Sequence, residues 1–169
     1  MLHEQLVLER RTWPQSCLSL LLSTLICFGA AGLGAAATMS SVTGWYRTIS
    51  KPVWTPPDWI FGPVWTALYL LMAIAAWLVW RSDRGSERLW ALSWFGAQLV
   101  LNSLWSVVFF GFQRPGWAFV EILLLWLAIA VTMFEFRRHS AIAAWLLAPY
   151  LAWSSFAAVL NGTIWQMNY

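Results

Sequence analysis

The chain reads as an all-α integral membrane bundle of five transmembrane helices, covered on one side by a tryptophan- and proline-rich first loop acting as a lid. Two observations predict this. Apolar residues fill 60% of the 169 positions and charged residues only 10%, against about a quarter charged in soluble domains. A soluble fold has too little interior to hide that much apolar surface. The apolar residues also gather into five runs, at about 16–39, 61–80, 89–112, 117–136 and 141–165. Each is close to the roughly 20 residues that carry a helix across a bilayer. Their interiors contain no Lys, Arg or Asp.

Taken in order, residues 1–15 are expected as a tail on the cytoplasmic side, and residues 16–169 as one membrane domain. Arg10-Arg11 before the first run and Ala35-Ala36-Ala37 within it imitate a signal peptide. The run, however, is longer than the roughly 7–15 apolar residues of a signal core, so a retained helix is expected. Its Gly29, Ala30, Gly32, Gly34 and Ala36 suit close helix packing, with Gly32 and Ala36 in small-xxx-small spacing. Cys17 and Cys27 share this helix about 15 Å apart. That is too far for a disulfide, and they read as two small apolar side chains.

Residues 45–65 hold four of the 15 tryptophans and four of the 7 prolines. Proline fixes φ and removes a donor, so Lys51-Pro52 and Pro56-Pro57 read as extended or turning chain. Such backbone has no place in lipid, but it can fold over the mouth of a bundle.

The later connections, residues 81–88, 113–116 and 137–140, are short and force antiparallel neighbours. Counting cations by side gives Arg10, Arg11, Arg81, Arg84, Arg88, Arg137 and Arg138 against Arg47, Lys51 and Arg114. The excess places the N-terminus in the cytoplasm, with the lid and C-terminus outside. The net charge of +3 is scattered over span ends and forms no patch for nucleic acid.

Tryptophans 13, 59, 80, 90, 117 and 165 fall near span ends, where indole rings anchor at the interface. Trp65, Trp105, Trp126, Trp145 and Trp153 lie inside spans, where an indole N–H wants a partner. As a set they point to protein contacts around a cavity. Polar and aromatic residues recur with them at helical spacing. These are Trp65, Tyr69 and Met72 in the second span, then Gln98, Asn102, Trp105 and Ser106 in the third. The fifth span has Pro149, Trp153, Ala157 and Asn161, with Tyr150 and Ser154 adjacent. Pro149 frees a carbonyl one turn earlier, which protein or water must satisfy. Intramembrane amides look inward, either to join helices or to line a pocket for a flat, largely apolar ligand.

Hydrolytic and metal chemistry find little support. The histidines are His3 in the tail and His139 in a short connection, with no ligand-spaced cluster, phosphate loop or nucleophile elbow. Glu135 beside Arg137 and Arg138 reads as an interfacial ion pair. Glu121, one turn inside the fourth span, is either a functional group or a snorkelling side chain.

These residues resemble the translocator protein family (TspO/MBR, the peripheral benzodiazepine receptors). The family's first loop and second helix read roughly WYxxLxKPxWxPPxxxFxxVWxxLY. Here that becomes Trp45-Tyr46, Lys51-Pro52, Trp54, Pro56-Pro57, Phe61, Val64-Trp65 and Leu68-Tyr69. The third-helix pattern QLxLNxxWsxxFF appears as Gln98-Leu99, Leu101-Asn102, Trp105-Ser106 and Phe109-Phe110. The fifth-helix pattern PYxxWxxFAxxLN appears as Pro149-Tyr150, Trp153, Phe156-Ala157 and Leu160-Asn161.

The resemblance implies a five-helix bundle, often dimeric, whose pocket under the first loop binds porphyrins, sterols and synthetic isoquinoline or benzodiazepine drugs. Carried over residue by residue, the ligand-binding positions are Tyr46, Pro56, Phe61, Trp65, Gln98, Asn102, Trp105, Trp153 and Ala157. Trp65 and Trp153 match the tryptophans that the family associates with light-dependent porphyrin breakdown. Porphyrin is implied as a ligand, and no resident cofactor is required. The end of the fifth span, residues 160–166, lacks the Leu/Val–Tyr–Lys/Arg sterol consensus of vertebrate members. That consensus is weak even when intact. Its absence argues against tight cholesterol binding and for a bacterial-type member in the cell membrane.

Three functions compete. The chain is a receptor or transporter for tetrapyrroles such as protoporphyrin IX, with a regulatory or stress role; a photo-oxidising enzyme using Trp65 and Trp153; or a lipid or sterol-like carrier. The first is favoured because no general acid, base or metal site is found. Arg47 and Lys51, the lid's basic residues, are the candidates to pair with ligand carboxylates. A homodimer is expected through the small faces of the first span (Gly32, Ala36) or third (Ser93, Ala97).

Overall fold

The computed structural model describes residues 13–82 and 85–169. Most of the expected tail, with His3, Arg10 and Arg11, and Arg84 of the second connection lie outside the described residues. So does the ring of Trp13.

The described residues form eight helical elements: α1 (Trp13–Thr43), α2 (Trp45–Thr48), α3 (Asp58–Trp80), α4 (Gly85–Ser106), a π-helical extension of α4 (Val107–Gly111), α5 (Pro115–His139), α6 (Ala141–Leu146) and α7 (Ala148–Asn168). Among the described residues, five helical stretches are long and apolar enough to cross a membrane: Gln15–Thr43, Asp58–Trp80, Gly85–Gly111, Pro115–His139 and Ala141–Asn168. The protein is an all-α integral membrane protein. Helix α1 is already formed at Trp13, where the described residues start, within the stretch expected as tail.

Prolines and polar caps set the breaks. Pro115 starts α5 at a position where its missing N–H costs nothing. Ser140 caps α6, its hydroxyl accepting from the Ala143 N–H at 3.2 Å. The fifth span is not one helix. It divides at Leu147, just before Pro149, which cannot donate to the carbonyl of Trp145. At the lid end of the third span the helix widens, and Phe112 N–H reaches back to Val107 O at 2.8 Å. Gln113 then takes a φ of 56°, turning the chain into α5.

The two ends of the bundle are identified by hydrogen bonds across elements. Ser82 Oγ meets His139 Nδ1 at 2.9 Å, so the α3–α4 and α5–α6 connections share one end. Asn168 bonds Ser50, so the C-terminus and lid share the other. Towards the first end the interior is filled by Met72, Val79, Phe95, Ile129, Phe136 and Leu147, all buried. Phe95 and Phe136 stack there with centroids 5.7 Å apart. Glu135 pairs with Arg138 at 3.2 Å, the ion pair read from the sequence. Cys17 and Cys27 are free thiols. The lid end is less filled, and the candidate site lies there.

Candidate functional site

The lid is fastened from inside and outside. Tyr46 on α2 is buried, its ring edge-on to Phe110 at 5.5 Å and to Phe109 at 6.2 Å. These are adjacent residues, and the π-helical widening lets both rings reach the same lid residue. Ser41 Oγ donates to the Phe110 carbonyl at 2.6 Å, satisfying a group at the edge of that irregular turn. Lys51 Nζ donates to Tyr46 O at 2.5 Å and sits 4.6 Å from the Tyr46 ring centroid. Further along, Thr55 closes a turn on Pro52 O, and Trp54 rests edge-on to Phe156 at 5.9 Å. Burial pushes the Tyr46 phenol up to about 12, and the nearby Asp58 carboxylate adds to the effect.

Beneath the lid is a cavity of about 550 Å³ bounded by α1, α3, α4 and α7. Trp65, Trp105 and Trp153 each contribute an indole to its wall. Phe61 meets Trp153 at 5.8 Å, Trp153 meets Phe156 at 5.4 Å, and Trp105 stacks on Phe109 at 5.2 Å. The indoles are held by bonds and rings behind them. Trp105 Nε1 donates to Asn161 Oδ1 at 3.0 Å, and Asn161 Nδ2 donates to Pro115 O at 2.8 Å. Trp65 packs on Tyr69 and Tyr150, at 5.6 and 6.2 Å. Asn102 Nδ2 donates to Tyr150 Oη at 2.9 Å, closing the floor with buried polar groups.

Of the nine positions implied by the resemblance, Tyr46, Phe61, Trp65, Asn102, Trp105, Trp153 and Ala157 line this cavity. Pro56 and Gln98 do not. Pro56 lies in the lid, set back from the wall. Gln98 is one helical turn below Asn102, buried, with its Nε2 3.9 Å from Met72 Sδ and its Oε1 without a partner. Arg47 is exposed on α2 and Lys51 is engaged within the lid; neither side chain lines the wall. The in-span tryptophans divide. Trp126 donates to Ser155 Oγ at 2.9 Å, away from the cavity. Trp145 is 75% exposed on the outer surface, against the expectation for that set, because it precedes the break at Leu147.

Several wall residues were not among the positions expected from the sequence. Gly32, Ala35, Thr38 and Val42 of α1 line the cavity, as do Asp58 and Thr66 of α3. The small residues of α1 divide: Ala30 packs on the core and Gly34 sits close to Ser106, where a Cβ would meet its Oγ at 3.2 Å, while Gly32 and Ala35 leave room at the cavity wall. Asp58 is the first residue of α3, where the helix dipole favours a carboxylate. An acid in the first turn was the available signal.

Comparison with known proteins agrees with this geometry. The sequence profile of the TspO/MBR family matches residues 23–166. The chain is 42% identical to the tryptophan-rich protein TspO of Chlorobaculum tepidum, over 89% of this chain and 96% of that protein. It is 44% identical to the translocator protein of Ovis aries, over 73% and 75%. It is 37% identical to the tryptophan-rich sensory protein of Cereibacter sphaeroides, over 82% and 88%. With a family match over most of its length and the lid, cavity and five spans in place, the chain belongs to the TspO/MBR family.

Proposed function

We propose that this protein is a membrane receptor for flat, largely apolar rings, tetrapyrroles such as protoporphyrin IX above all, and that it serves regulation of tetrapyrrole metabolism or a stress response. The supporting observation is the cavity itself. Three indoles, Trp65, Trp105 and Trp153, surround about 550 Å³ under a lid. That volume lies within the roughly 300–1,000 Å³ of small-molecule sites. Offset and edge-to-face contacts with a ring ligand are available on several sides. The polar groups at the floor are engaged with one another, so apolar contact and shape dominate over hydrogen-bond selection.

Arg47 is the exposed cation of the lid and the partner we assign to a ligand propionate. Asp58 at the wall repels carboxylates and turns them towards α2. We place the homodimer contact on α4, whose Ser93 and Ala97 are exposed and whose Gly96 has open space where a Cβ would stand. Gly32 of the competing α1 face is taken up by the cavity. The bacterial cell membrane is the location we assign.

A second reading has one observation in its favour: Trp65 and Trp153 stand on the same cavity wall system, where electron-rich indoles flank a bound ring. With light and dioxygen as oxidant, they would take part in porphyrin oxidation. Absorption titration with protoporphyrin tests both. A red-shifted dark complex that saturates supports the receptor; no saturable shift contradicts it. A new product band, formed under light and oxygen and lost in Trp65→Phe with Trp153→Phe, supports the enzyme.

A further inference from the structure

The first turns of α5 and the π-helical end of α4 bound a second space of about 430 Å³, which shares no lining residue with the lid cavity. Five of its seven lining residues are apolar: Val108, Phe112, Trp117, Val120 and Leu124. Phe112, Trp117, Val120 and Leu124 are exposed on the outer surface of the bundle, so the crevice opens towards lipid. The other two are Arg114 and Glu121.

Among the described acids Glu121 stands apart. It is only 7% exposed, and neither carboxyl oxygen has a hydrogen-bond partner. The other buried acid of α5, Glu135, is paired with Arg138. A buried carboxyl without a donor is unfavourable in protein and more so at membrane depth. Among the described residues no donor reaches Glu121, which leaves its carboxyl open to a donor from outside.

The chemistry of that donor follows from the other lining residues. Arg114 precedes Glu121 by seven residues, about 10.5 Å along the helix axis. Both residues nevertheless line this one crevice. The exposed Trp117 between them marks the interfacial level. An occupant therefore carries an anion for Arg114, an N–H cation for Glu121 a short distance away, and an apolar body for Val120 and Leu124. We propose that this crevice holds one aminophospholipid, its phosphate on Arg114, its primary ammonium donating to Glu121 and an acyl chain along Val120 and Leu124. A choline head matches the phosphate and the charge but has no N–H to donate. A glycerol head has donors but no cation.

Protein exchanged into bilayer discs containing equal parts phosphatidylethanolamine, phosphatidylcholine and phosphatidylglycerol tests this, with retained lipid counted by mass spectrometry after mild delipidation. The expected result is enrichment of the ethanolamine lipid over the choline lipid by roughly tenfold, the factor carried by about 1.4 kcal/mol. Retention should fall stepwise across mono-, di- and trimethylated heads in the unaltered protein. Glu121→Gln should abolish the preference, and Arg114→Gln should lower all phospholipids alike. Equal retention of ethanolamine and choline lipids in the unaltered protein would overturn the proposal, as would a preference that survives Glu121→Gln. Loss of dimer in Glu121→Gln without any lipid preference would also overturn it, by giving the crevice to a second copy of the chain.

Discussion

Asn168, at the end of α7, holds both backbone groups of Ser50 in the lid: its Nδ2 donates to Ser50 O at 2.9 Å and its Oδ1 accepts from Ser50 N–H at 2.9 Å. One C-terminal side chain thereby ties the first loop to the fifth span, across 118 residues of sequence. These bonds lie at the exposed edge of the lid, so each contributes near the low end of about 0.5–1.5 kcal/mol. Asn168→Ala should leave the bundle folded while speeding ligand release several-fold and raising hydrogen exchange at Ser50. Unchanged release and exchange would show that the ring contacts of Tyr46 and Trp54 hold the lid by themselves.

The two lid cations should behave differently when removed. Arg47 is exposed on α2, and the ion pair we propose for it with a ligand carboxylate is a surface one, worth about 0.2–1 kcal/mol. Arg47→Ala should weaken protoporphyrin up to about fivefold at low salt and spare an uncharged isoquinoline ligand. Lys51 carries the bond to Tyr46 O, so Lys51→Ala should weaken both ligands. Parallel titrations with the two ligands check this; equal behaviour of the two variants would contradict the division.

Tyr46 gives the lid an alkaline limit. Its folded pKa, about 12, is above the ordinary 10.0 because burial, then Asp58, disfavours the phenolate. Unfolded chain loses the proton first as pH rises through 10, so stability is full below that value and declines between 10 and 12. Thermal unfolding followed against pH should show this decline, reduced in Tyr46→Phe. An identical alkaline decline in both proteins would move the effect away from Tyr46.

Glycines on the spans should divide by what a Cβ would meet. At Gly162 it would stand 3.0 Å from Phe119 Cε2, between α5 and α7. Gly162→Ala should cost about 1–3 kcal/mol unless that ring gives way. At Gly29 nothing lies within 4 Å, so Gly29→Ala should gain up to about 1 kcal/mol of helix propensity. Unfolding temperatures in one detergent compare the two directly.

The spans were legible because bilayer thickness demands long apolar runs; Pro149 signalled a freed carbonyl in the fifth, and the full break at Leu147 came only with the structure. The π-helical turn was not: no residue among Val107–Gly111 announces an extra position, and only the packing of Phe109 and Phe110 against Tyr46 requires it. Within the site, aromatic and amide residues could be read because each must find a partner in a membrane. Helical phase placed Gln98 and Asn102 on one face, but phase says nothing of depth, and only Asn102 reaches the cavity. Phase also fails across a break, which is why Trp145 faces outward while Trp153 faces in. The α1 wall was hidden because Gly32 and Ala35 act by what they lack.

The central claim is that ligand occupies the space under the lid. Ala157 lines that space at the edge of the packed core, so a larger side chain there has the cavity to enter. Protoporphyrin titration of Ala157→Phe against the unaltered protein in the dark, with thermal unfolding of both, is the most direct measurement. Binding should weaken by roughly tenfold or more, a loss of about 1.4 kcal/mol or more, with no fall in unfolding temperature. Undiminished affinity in a protein whose cavity is filled would contradict it.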